Sequence, residues 1–203
     1  MRITRKQVVT AWMNRGLDDF VIQFVPLKQW VKHQPFYLEQ GLEKICKAFL
    51  IGKDARKYRR LSFMKARAVT AKLAKSYAHH KLSELVLRVS RDVPKVSQVV
   101  SQFYGDYNGQ KILEILEKGY IESRYPPSEP VYRDRENRFI VKRKHYFVDP
   151  TCSDALQKFT FAISRVILHE IEEKFHAKVQ NQYSDLISDN DWKRFLNLLQ
   201  NNN

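Results

Sequence analysis

A chain of 203 residues with 43% hydrophobic and 29% charged residues has room for one core, is short for two full domains, and is neither disordered nor fibrous in composition. Lys and Arg total 36 against 22 Asp and Glu, a net charge of +14, so the natural partners are polyanions: nucleotide or nucleic acid. Two cysteines, Cys46 and Cys152, are too few for a disulfide scaffold, and no segment approaches the ~20 apolar residues of a membrane helix.

The basic segment from Met1 to Gly16 lacks a continuous apolar run, so it does not read as a signal peptide and the cytoplasm is the expected compartment. Thr4 can cap a first helix that carries Val8, Val9, Trp12, Leu17, Phe20 and Phe24 and is expected to bend or break near Gly16 and Pro26. In the second helix, Phe36, Leu38, Leu42, Ile45, Cys46 and Phe49 recur every three or four residues, which predicts one buried face; Gly52 stands where a C-terminal cap belongs. From Lys53 to Lys81 the chain is strongly basic, with Arg59, Arg60 and Arg67 among its cations and Asp54 as its one acid. Tyr58, Phe63 and Tyr77 are interleaved. Phosphate binding with base stacking and a plain solvated surface are both open for this stretch.

A third helix follows on Leu82, Leu85, Val86 and Val89; Pro94 breaks it and starts another segment, and Ile112, Leu113, Ile115 and Leu116 mark a fourth helix. Tyr125, Pro126, Pro127 and Pro130 stop it. Around the polar Arg135, Glu136 and Asn137, the alternation of Phe139, Val141, Tyr146 and Val148 predicts an inserted β-hairpin over about 128–149. The longest helix then opens at Pro150 or Ser153 and buries Leu156, Phe159, Ile163, Val166, Ile167, Ile171 and Phe175. Residues 181–203 read as a polar linker and a short helix, capped by Asp189 or Asn190. Its stripe of Trp192, Phe195, Leu196 and Leu199 must be covered by the bundle or by another chain.

Several motifs in this order carry a family resemblance. Trp12 with Gly16-Leu17-Asp18-Asp19 resembles the first-helix segment of HEPN domains. The run from Phe36 to Leu50, with Gln40, Glu43-Lys44 and Lys47-Ala48, resembles their second helix, and His79-His80-Lys81-Leu82 the start of their third. Arg124-Tyr125-Pro126 is similar to the arginine-tyrosine-proline that follows their fourth helix in one branch. The resemblance implies an all-α, up-and-down bundle of four or five helices over residues 1–180. It also implies homodimers with ligand grooves between protomers, and pairing with a small nucleotidyltransferase. One branch of the family consists of metal-independent ribonucleases that use an arginine and a histidine near the start of the last helix.

The site candidates follow from that chemistry. Arg124 can grip phosphate bidentately and Tyr125 can stack on a base; equally, Arg124 can cap its own helix and Tyr125 plug the bundle end. Arg138 and His145 have the ribonuclease spacing, with Arg138 as phosphorane stabiliser and His145 as acid/base. They precede the closing helix, however, and seven positions apart on a strand they would face opposite ways. Arg165 and His169 lie one turn apart on the closing helix, as a divergent site or a surface pair. His169, Glu172, Glu173 and His176 also share a face, which reads as a solvated acidic surface before it reads as a metal site. No cofactor and no metal are expected. Three functions remain: a nucleotide- or RNA-binding accessory subunit, a metal-independent endoribonuclease of toxin type, and a protein-binding bundle that docks through Trp192, Phe195 and Leu199.

Overall fold

A computed structural model describes residues 2–22, 34–54, 61–62, 71, 81–103, 107–124, 132–133, 139–140, 150–179 and 188–200. These residues form an all-helical bundle of seven helices: α1 (Arg5–Val21), α2 (Gln34–Asp54), α3 (Leu82–Ser90), α4 (Pro94–Gln102), α5 (Gly109–Arg124), α6 (Pro150–Phe175) and α7 (Asp189–Gln200). Two antiparallel ladders of two residues a side accompany them. Arg2–Ile3 pairs with Leu61–Ser62, and Tyr132–Arg133 pairs with Phe139–Ile140. Two residues per side are fewer than a strand that holds by itself, so the inserted hairpin expected over 128–149 is not supported as an element of the fold. Its other residues lie outside the described ones.

The helix ends follow local chemistry. Thr4 caps α1 through a reciprocal box: Thr4 Oγ1 accepts from Gln7 N at 3.2 Å, and Gln7 Oε1 accepts from Thr4 N at 2.8 Å. Pro94 opens α4, where its missing N–H costs nothing. The cap of α7 is Ser188, one residue before the expected Asp189: Ser188 Oγ accepts from Asp191 N at 3.1 Å and donates to Asp191 Oδ2 at 2.7 Å.

Helix α2 is the centre of the bundle. It packs against α1, α3, α5 and α6, and every residue from Ile45 to Gly52 is buried. The single buried face expected of it is therefore too narrow. Polar positions on its other sides, Glu39, Glu43 and Lys47, are buried as well. Lys47 pairs with Glu43 inside the core, which is how those sides become compatible with burial. Helix α1 runs antiparallel to α2 and approaches it closely through Gly16 and Gly41. A Cβ on Gly16 would lie 2.8 Å from Gly41 O and 2.9 Å from Ile45 Cγ1. Gly16 therefore does not break α1, which continues as helix to Val21; it is the contact point. Gly52 is likewise inside α2 and not its cap, because a Cβ there would meet Val9 and Phe175 at 2.7 Å.

Helix α6 lies parallel to α2. Ser153 bonds Gln34 at one end, and Phe175 packs on Phe49 at 5.9 Å between ring centroids at the other. Its predicted inner face is buried, with Val166 only partly so. Phe161 joins three helices: its ring meets Phe20 of α1 at 5.1 Å and Phe195 of α7 at 6.0 Å. Trp192, Phe195 and Leu199 of α7 belong to the same core cluster, so the bundle itself covers the stripe, and α7 is part of the core rather than an appendage beyond residue 180. Burial of these three side chains contributes roughly 1.5–3 kcal/mol each.

Candidate functional site

Helix α6 ends at Phe175, and His176 takes up a left-handed conformation with φ 56°. Its N–H donates to Glu172 O at 2.9 Å, closing the helix end. Glycine is the usual residue in this role, because a Cβ there costs about 1–2 kcal/mol. His176→Gly is therefore expected to stabilise the fold by about 1 kcal/mol, seen as a rise of a few degrees in the thermal midpoint. A drop in the midpoint would mean that the exposed imidazole makes contacts worth more than the strain.

Past this turn Ala177 is buried, and Lys178 and Val179 form one wall of a cleft of about 630 Å³. Arg165, His169, Glu170 and Glu172 enter it from α6, Leu196 and Leu199 from α7, and Lys95 from α4. The volume lies in the range of small-ligand sites. The wall is mixed: apolar side chains at the base of the packing, three cations and two carboxylates around them. The carboxylates are occupied. Glu172 Oε1 holds Lys178 Nζ at 3.1 Å, and Glu170 Oε2 holds Lys174 Nζ at 2.6 Å. Arg165 is half-buried and donates from Nε to Leu199 O at 3.2 Å, at the carbonyl end of α7. Burial lowers the Arg165 pKa below its usual value; the guanidinium nonetheless stays charged, and its poorer hydration strengthens its pull on an anion.

The helix spacing seen in the sequence thus brings Arg165 and His169 into one cleft. Lys95, Lys178, Leu196 and Leu199 were not legible as their companions, because they come from three other stretches of the chain. The only sequence signal was the one-turn spacing of Arg165 and His169. Among the described residues no group of three His, Cys, Asp or Glu side chains could hold a metal; Glu172 turns to Lys178 instead.

The other candidates are placed differently. Arg124 is the last residue of α5, so the helix runs to the proline-rich stop. Tyr125, Arg138, His145, Arg59, Arg60, Arg67, His79 and His80 lie outside the described residues. No described helix is long and apolar enough to cross a membrane. No protein-family model, curated protein or solved structure matches this chain.

Proposed function

We propose that this chain is a HEPN-like protein that binds the phosphate of a nucleotide or RNA, as the accessory partner of a nucleotidyltransferase. In this reading it works as a cytoplasmic homodimer. The observation that carries the reading is the cleft between α6 and α7, lined by Arg165, Lys95, Lys178 and His169, in a chain of net charge +14. A desolvated guanidinium and flanking ammonium groups suit a phosphate and tolerate any base. Arg124, which ends α5, and Tyr125 after it would be a separate phosphate and base contact, because Tyr120 one turn earlier stacks on Phe36 at the start of α2, away from the cleft; Arg59, Arg60 and Arg67 would steer the ligand.

The test is fluorescence anisotropy with a labelled oligoribonucleotide at low salt. Arg165→Ala is expected to weaken binding roughly 10- to 100-fold, the loss of one charge-assisted hydrogen bond, and raising the salt is expected to weaken the wild type steeply. An affinity unchanged by Arg165→Ala removes the cleft from the proposal.

The ribonuclease reading keeps one supporting observation: Arg165 and His169, one turn apart on α6, line the same cleft, while Arg138 and His145 lie outside the described residues. Incubating structured RNA with the protein in EDTA separates the readings. Intact but shifted RNA favours binding; cleavage abolished by His169→Ala or by His145→Ala favours the enzyme and identifies its acid/base. For the third reading, Trp192, Phe195 and Leu199 are buried within the chain, so this stripe is not exposed in the described fold.

A further inference from the structure

Glu39, Glu43 and Lys47 follow one another at single-turn spacing on α2 and are 0%, 5% and 7% exposed. They are the only buried charged residues among those described. Lys47 Nζ is bound to Glu43 Oε1. Gln40 Nε2 bridges the two acids, donating to Glu39 Oε2 at 2.8 Å and to Glu43 Oε2 at 3.1 Å. Glu39 Oε1 has no hydrogen-bond partner. Two acids and one base cannot all be ionised here without leaving one negative charge in an apolar core, the arrangement proteins most strongly avoid. The surplus charge falls on Glu39, because the lysine is bound to Glu43.

Among the described residues, no cation other than Lys47 is seen against Glu39. On α1, Asp19 is already paired with Lys44 of α2 at 2.5 Å, and it acts on Glu43 as a like charge. The buried polar groups of α6 are the hydroxyls of Thr160 and Ser164, neither of which has a partner. Glu117 of α5 is engaged by the backbone N–H of Ser83 on α3, and the described side chains that α3 and residues 109–120 of α5 bury are apolar apart from the Tyr120 phenol. Cys46, wholly buried, lies within the electrostatic reach of all three groups.

We propose that a proton held on Glu39, beside the Glu43–Lys47 ion pair, is a pH-sensitive latch: the bundle is closed while that proton is held and loosens around α2 when a base in solution takes it. The step is a plain proton transfer from the Glu39 carboxyl to solvent base, leaving a carboxylate beside an existing carboxylate. Burial first, and Glu43 next, push the Glu39 pKa up from 4.5 to about 8, against the opposing pull of Gln40 and Lys47. The folded chain therefore binds this proton more tightly than the unfolded chain. The resulting stabilisation is complete below about pH 4.5 and is lost as the pH rises to about 8, a window that spans neutrality.

Glu39→Gln mimics the protonated state and cannot titrate. Thermal midpoints of both proteins, taken from pH ~5 to pH ~9, isolate this one group. The expected result is a variant that gains several degrees on the wild type across that range, with the gap levelling off at its alkaline end. Mass-spectrometric labelling of Cys46 at the alkaline end is expected to be faster in the wild type than in Glu39→Gln. Parallel melting curves with equal labelling overturn the latch. If Glu39→Gln does not fold, infrared spectra of the wild type decide the matter: a protonated-carboxyl band present at neutral pH and bleached by added base supports it, and its absence at neutral pH overturns it.

Discussion

Lys47→Ala is expected to destabilise the bundle by about 3–5 kcal/mol, the usual cost of removing one partner from a buried ion pair. The side chains of Lys47 and Glu43 are 9% and 7% exposed, and the pair is closed within α2. Without the ammonium, the Glu43 carboxylate is left buried beside Glu39 with its ion-pair partner removed. Such a loss is a large part of the ~5–15 kcal/mol that holds a domain of this kind together. Urea denaturation measures it directly. The companion variant Glu43→Leu/Lys47→Leu removes both charges and fills the space with apolar atoms, and it is expected to recover most of the loss or exceed the wild type. A Lys47→Ala protein within 1 kcal/mol of the wild type would show that water reaches the pair in solution.

Gly41→Val is expected to cost about 3 kcal/mol or more. On an exposed helix, replacing glycine usually helps, because the unfolded chain loses freedom. Here the sign reverses. A Cβ on Gly41 would fall into the ring of Phe20, whose Cζ lies 2.9 Å from that position. The ring cannot swing aside freely, since it packs edge-on against Phe161 at 5.1 Å. Either the ring leaves its place or α1 separates from α2, and both give up core packing. Phe20→Ala in the same chain makes room for the valine, so the double variant is expected to lose less than the sum of the two single changes. Strict additivity in thermal or chemical unfolding would mean that α1 and α2 do not meet as described.

Several elements could be read from the chain itself because the forces that set them are local. Thr4 opens α1, Pro94 opens α4, and the apolar spacing of Leu82, Leu85, Val86 and Val89 is all that α3 needs. The inner face of α6 was equally legible, since a long amphipathic helix repeats its signal many times. Glycines were where the reading went astray. Gly16 and Gly52 look in sequence like a break and a cap, yet both lie inside helices where a second helix comes too close for a side chain. A glycine that ends a helix and one that admits a neighbour carry the same letter, and only the neighbour distinguishes them.

The candidate site was half legible for the same reason. Arg165 and His169 are joined by one helical turn, and that spacing was visible; Lys95 and Lys178 reach the cleft from α4 and from the turn after His176, and no periodicity links them to α6. The buried trio on α2 was also hidden. Glu39, Glu43 and Lys47 look like a solvated stripe until α1 and α6 are placed against them. The sequence by itself determined where α1 and α4 begin, which apolar stripes must be covered, and the net charge of +14. The tertiary structure alone decided that α7 covers its own stripe on α6, that charges enter the core, and which cations share a cleft. Helix periodicity is set by backbone geometry within a few residues, whereas the partner across an interface is chosen by packing between segments far apart in the chain.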